Sequence, residues 1–215
     1  MKKTLLVAAL AAAVLAAAAP ASAAIVYEFT PGAPSPGAGY TVINTFDSTA
    51  GITGINFEIK VPPADGYGAP PANSVPTGTP YLSVLGGGNA TITFAAPVTS
   101  FQFDWGSVDY YNTLFINWKT IGGQTRTNAV IPGFNFPSAA NGNQVLPGTN
   151  GLFTVRGTEG ETFTSIKLTS DANSFEIDNL AIPGVPEPTT WGLMIMGFGG
   201  IGAMLRRRRQ AVAFA

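Results

Sequence analysis

The feature that most constrains this chain is a two-residue apolar alternation, carried in short runs with glycine between them. Ile55, Phe57, Ile59 and Val61 share one parity, and Asn56, Glu58 and Lys60 share the other. Phe101, Phe103 and Trp105 stand opposite Gln102 and Asp104, and Leu114, Ile116 and Trp118 form a third row. Side chains alternate across a strand, so each run predicts a strand with one face in a core. Further strands are expected over residues 25–29, 81–85, 90–94, 124–131, 151–155, 162–169 and 174–181. Gly86-Gly87-Gly88-Asn89 reads as a hairpin connection, and Ile121-Gly122-Gly123-Gln124 as another. No long apolar period of 3.6 residues interrupts this region. The expected fold is therefore all-β, a single antiparallel β-sandwich of jelly-roll type over residues 24–183.

Two stretches break the rhythm. Residues 62–80 are rich in proline, glycine and alanine, and residues 132–150 in glycine, asparagine and proline. Both exceed the usual connection in a compact domain, which marks a functional loop or a mobile insertion. Tyr67 and Tyr81 near the first, and Phe134 and Phe136 in the second, would suit stacking on sugar rings if exposed.

The chain has no histidine and no cysteine. That excludes a Ser-His-Asp triad, a cysteine nucleophile and an imidazole or thiolate zinc site, and leaves the fold to stand without disulfides. Carboxylate chemistry remains. A glycosidase needs two carboxyl groups across a cleft, about 5 to 9.5 Å apart, and Glu176 and Asp178 fall on one face of a predicted strand. A strand with one wet face gives the same pattern, and the expectation is that the domain is not an enzyme. A structural calcium ion is the other use of such oxygens. Asp104, Asp109 and Asp178 are the candidate ligands, without a calcium motif's spacing, so no cofactor is expected. The competing reading has Asp109 and Asn112 shape a turn, and Asp178 and Asn179 bond local backbone. Residues 24–183 set five lysines and arginines against eleven aspartates and glutamates, a net charge of −6. Such a domain is unsuited to nucleic acid, whose phosphates must be neutralised.

The two ends read as addresses. Lys2 and Lys3, the apolar run to Ala19, and Ala21-Ser22-Ala23 form a secretory signal over residues 1–23, cut by signal peptidase after Ala23, or after Ala21. At the other end, Pro186-Glu187-Pro188 is followed by an uncharged run and by Arg206, Arg207, Arg208 and Arg209. The prolines hold an extended, exposed backbone that a processing enzyme can grip. The run from Trp191 to Leu205 would rise about 22 Å as a helix against a hydrocarbon core of about 30 Å. Thr189 and Thr190 extend it to residues 189–205, which predicts a short transmembrane helix halted by the arginines, with residues 210–215 as a cytoplasmic tail.

Val185, Pro186, Glu187, Pro188 and Trp191, with the glycine-rich run and the arginine cluster, resemble the PEP-CTERM sorting signal in its PEPxxWA variant. Gly192 stands where that variant usually has alanine. The resemblance spans residues 184–209. It implies that an exosortase cuts near the triplet after the export machinery has delivered the chain, with the inner membrane holding it in between. It also implies a Gram-negative cell surface or extracellular matrix, in a setting of exopolysaccharide and biofilm. Runner-up readings are a carbohydrate-binding module for extracellular polysaccharide and a carboxylate glycosidase. An ice-binding face is the least favoured, since no regular threonine ladder is present.

Overall fold

The computed structural model describes residues 25–184 and 192–201. The first stretch is built from ten strands: β1 Ile25–Pro31, β2 Tyr40–Asn44, β3 Ile52–Lys60, β4 Tyr81–Val98, β5 Ser100–Gly106, β6 Asn112–Lys119, β7 Thr125–Val130, β8 Gly151–Gly157, β9 Thr162–Ser170 and β10 Phe175–Pro183. Every pairing is antiparallel, in the order β1-β8-β5-β10-β4-β9-β6-β7, with β2 added beside β10 and β3 beside β4. One short helix, α1 Pro132–Asn135, sits in the connection from β7 to β8. A separate unit begins at Gly184 and holds a helix, α2, over residues 192–201.

The sheet curls back on itself. β10 and β4 lie between β5 and β9 in the strand order, yet Phe101 of β5 meets Phe163 of β9 edge-on at 5.3 Å. Phe94 at the far end of β4 also reaches Phe101, at 5.5 Å. The curl therefore makes the two layers of a sandwich, and its core is aromatic. Trp105 stacks on Phe175 at 4.6 Å and meets Phe153 edge-on at 5.2 Å. Aromatic pairs at these spacings contribute beyond the area they bury. Phe101, Phe103, Trp105, Phe175 and Ile177 are all fully buried, as the alternation requires, and so are Leu114 and Ile116.

The corner between the layers lies where the sequence predicts a hairpin, and the prediction fails there for a physical reason. Gly86-Gly87-Gly88-Asn89 does not reverse the chain; it runs through the middle of the eighteen-residue β4. Residues before it pair with β10, and residues after it pair with β9. β3 bends beside it, with Asn56 at a φ of 52° and its side-chain amide donating to the Gly86 carbonyl at 2.8 Å. A Cβ on Gly88 would collide with the Asn56 carbonyl oxygen, so the two backbones meet only because that position is glycine. Strands that change sheets do so through such bends. The bulge at Asn56 also shifts the register between Ile55 and Phe57. Ile55, expected inside with Phe57 and Ile59, is consequently exposed, and Val61 is exposed just past the strand's end.

Candidate functional site

β5 and β10 lie side by side with Asp178 directly opposite Asp104. One face of these strands carries the aromatic core. The other carries Gln102, Asp104, Glu176 and Asp178, and it is not wet: Glu176 and Asp178 are each only 1% exposed. Two connections cover it. The β1–β2 connection donates the Ser35 backbone N–H to Asp104 at 2.6 Å and the Gly37 N–H to Gln102 at 2.9 Å. The β3–β4 connection, residues 61–80, lies across the same face as a strap. Asn73 and Ser74 donate to Asp104, Thr79 donates to Asp178, and the Ala69 N–H donates to Glu176. Asn179, at a bulge in β10 with a φ of 50°, adds a further donor to Asp104 at 3.0 Å. Ser107 and Ser174 complete the shell of Glu176. A Cβ on Gly106 would sit 2.6 Å from the Pro71 Cα, so the strap touches the sheet backbone directly.

Neutral groups, not cations, partner these carboxylates. Among the described residues the ion pairs are Lys60 with Glu58 and Asp65, and Arg156 with Glu28. Burial raises the carboxyls of Asp104 and Glu176 to about 7 and that of Asp178 to about 6, against the pull of their hydrogen-bond donors. For Asp104 the neighbouring Asp178 adds to the rise. Removing water from a charge that has no opposite charge beside it disfavours ionisation.

The calcium candidates do not converge. No group of three or more acidic, histidine or cysteine side chains placed to hold a metal occurs among the described residues. Asp104 is filled by four protein donors. Asp109 lies in the β5–β6 turn and accepts from the Tyr111 hydroxyl at 2.7 Å, with burial raising its carboxyl. Asn112 donates its backbone N–H to the Asp109 carbonyl, and the Asn179 N–H donates to the Asp178 carboxylate, which is the local backbone role. Glu176 and Asp178 do share a face, but the strap stands where a glycosidase would need a cleft.

The aromatics separate into two kinds. Tyr81 is fully buried, and Phe136 packs on Tyr27, Phe29 and Phe153. Tyr67 is exposed on the strap, with the Lys60 ammonium 5.6 Å from its ring centre. Phe134 on α1 is 84% exposed and Tyr110, in the β5–β6 turn, is 70% exposed. Tyr110 escapes sequence reading. Its signal is the Tyr110-Tyr111 pair inside a turn, where one ring anchors and the other is displayed. At the far edge, a cleft of about 360 Å³ opens between β2, the end of β4 and the end of β10, lined by Ile43, Ile92, Phe94, Val98, Leu180 and Ile182 among others.

Fold and site together define an acidic antiparallel β-sandwich domain with a sealed polar face and aromatic side chains displayed from its loops. The segment after the last strand carries a second, separate signature. Residues 184–209 match the PEP-CTERM protein-sorting motif, so the chain carries the sorting signal of an exported, membrane-transiting protein. Val185, Pro186, Glu187, Pro188 and Trp191 lie outside the described residues, as do Arg206 to Arg209 and the signal cleavage positions Ala21 and Ala23. Among the described residues no helix is long and apolar enough to cross a membrane.

No curated protein matches the sequence. Similar solved structures include a family 6 carbohydrate-binding module, 12% identical, covering 72% of this chain and 100% of that one with a TM-score of 0.35. Another is a carbohydrate-binding module from Cellvibrio mixtus lichenase 5A in complex with cellotriose, 11% identical, covering 68% and 100% with a TM-score of 0.32. An exo-β-agarase is 13% identical over 68% of this chain and 25% of its own, with a TM-score of 0.34.

Proposed function

We propose that this chain is an exosortase substrate whose β-sandwich domain is released into, or displayed within, the exopolysaccharide matrix of a Gram-negative cell, and that the domain is not an enzyme. The observation that carries the reading is the junction. β10 ends at Pro183 and the sorting motif begins at residue 184, so a cut near Pro186-Glu187-Pro188 severs no strand. β10 is also an interior strand, paired with β5, β4 and β2, which lets the domain keep its last strand after processing. The non-catalytic reading is supported by the burial of Glu176 and Asp178 beneath the strap.

In a host with the matching exosortase, the mature protein is expected to end near Glu187 and to lack Arg206 to Arg209. Replacing Pro186-Glu187-Pro188 by three alanines should leave a larger form in the inner membrane. Mass spectrometry of surface-extracted protein checks this, and an arginine tail retained on the mature product would reduce the segment to a plain anchor.

A second reading, favoured by the exposure of Tyr110 and Phe134, is that the domain holds extracellular polysaccharide.

A further inference from the structure

We infer that Tyr110 and Phe134 form a stacking platform for the pyranose rings of a neutral glycan. This rests on the polysaccharide reading above and names its site and ligand class. The two side chains come from segments far apart in sequence that abut in the fold. A Cβ built on Gly133, the residue before Phe134, would lie 3.2 Å from the Tyr110 Cβ. The Gly142 N–H donates to the Val108 carbonyl at 3.0 Å, and Asp109 bridges to Asn141, so the 132–150 loop is tied to the β5–β6 turn at the two residues just before Tyr110.

Each ring is displayed from a fixed mount. Under Phe134, the Phe136 ring is held in the aromatic cluster of Tyr27, Phe29 and Phe153. Asn135 accepts from the Ile131 N–H at 2.7 Å and donates to the Tyr27 hydroxyl at 3.1 Å. Under Tyr110, the Tyr111 ring packs edge-on at 5.3 Å, and its hydroxyl lies 2.7 Å from both the Asp109 carboxyl and the Asn173 carbonyl, within hydrogen-bond reach of each. A ring held in place before binding loses little freedom on contact, which is how a small platform gains affinity. A buried role for either ring is excluded by its exposure.

Charge selects the ligand. Residues 132–150 contain no lysine, arginine, aspartate or glutamate, and the exposed amides of Asn141 and Gln144 flank the platform in sequence. Residues 24–183 carry a net charge of −6, so a uronate or sulfated polymer would be repelled. Flat apolar rings on a loop without charged side chains fit a ligand with apolar ring faces and hydroxyl edges, which is a neutral polysaccharide.

The test is affinity electrophoresis of the full chain in detergent, through native gels containing hydroxyethylcellulose, mixed-linkage β-glucan or galactomannan, with alginate as the anionic control. Retardation by at least one neutral polymer and none by alginate is expected. Tyr110→Ala and Phe134→Ala should each weaken it about tenfold, while Ile121→Ala, at an exposed apolar position on the β6–β7 turn, leaves it unchanged. Retardation that survives in the Tyr110→Ala/Phe134→Ala double variant overturns the platform and leaves polysaccharide binding standing. No retardation by any neutral polymer removes both. Loss of a dimer in the double variant, seen by sedimentation without any change in glycan binding, assigns the rings to an interface between copies and overturns the proposal.

Discussion

The two faces of β5 and β10 are buried to nearly the same degree and are held together by opposite means. On one, Trp105, Phe103, Phe153 and Phe175 interlock through ring contacts of 4.6 to 5.9 Å. On the other, Asp104, Glu176, Asp178 and Gln102 are satisfied one hydrogen bond at a time by the strap and by the β1–β2 connection. The apolar face gains its stability from area removed from water, a non-directional contribution that tolerates small shifts. The polar face must meet each donor and acceptor at hydrogen-bond distance, or bear the cost of a buried group left unpaired. A sandwich can therefore be sealed on its outer surface, but the seal is only as good as its geometry. That suits a domain that has no disulfide and must hold two long connections in place.

The largest effect should come from the apolar face. Trp105→Ala removes the ring that joins Phe103, Phe153 and Phe175, and is expected to cost about 3–5 kcal/mol in urea denaturation. A cost below that of changes on the polar face would reverse the ranking of the two faces.

Next is pH. The Asp104, Glu176 and Asp178 carboxyls titrate near 7, 7 and 6 in the folded domain, above their ordinary values of 3.8, 4.5 and 3.8. The folded state holds these protons more tightly than the unfolded chain. Their contribution is therefore full below about pH 4 and is lost as pH rises through 6 to 7. Urea midpoints measured from pH 4.5 to pH 8 should fall, steepest between about pH 5 and 7. Midpoints that rise over that range would mean the donors around Asp104 hold it charged and outweigh burial.

Asp104→Asn sharpens the same point at one residue. Its new amide N–H₂ would face groups that now all donate, namely Ser35, Asn73, Ser74 and Asn179, and the change should cost about 1–3 kcal/mol. The strap should loosen with it, read as faster proteolysis between residues 61 and 80. The smallest effect belongs to the displayed rings. Phe134→Ala should change stability by less than about 0.5 kcal/mol, because the anchoring around α1 comes from Asn135 and from Phe136 just after it.

The alternation of Phe101, Phe103 and Trp105, and of Leu114, Ile116 and Trp118, was enough to place β5 and β6 and to say which side chains enter the core. β8 to β10 were legible from their apolar residues, and so was the turn at Gly122-Gly123, where the Gly123 N–H donates to the Thr120 carbonyl. β2, Tyr40–Asn44, carried too short a pattern to stand out and exists because β10 offers it an edge. The glycine triplet misled because three glycines permit a reversal and a corner equally. The choice depended on β3 arriving alongside with its own bulge at Asn56.

By itself, the sequence determined the class of fold, the chemistry available to it and the address of its product. Strand parity, the lack of histidine and cysteine, and Pro186-Glu187-Pro188 with its arginine cluster are all local facts. Only the tertiary structure decided what lies over each face. Parity says that Asp104 and Glu176 point away from the aromatic core; it does not say whether water or chain meets them there. The groups that meet Asp104 come from Ser35, 69 residues before it, and Asn179, 75 residues after it. The same holds for the loops. Residues 62–80 and 132–150 look alike in composition, yet one closes over buried carboxylates and the other displays Phe134. Composition sets what a loop can bond to, but its partners are chosen by where the curl of the sheet brings the rest of the chain.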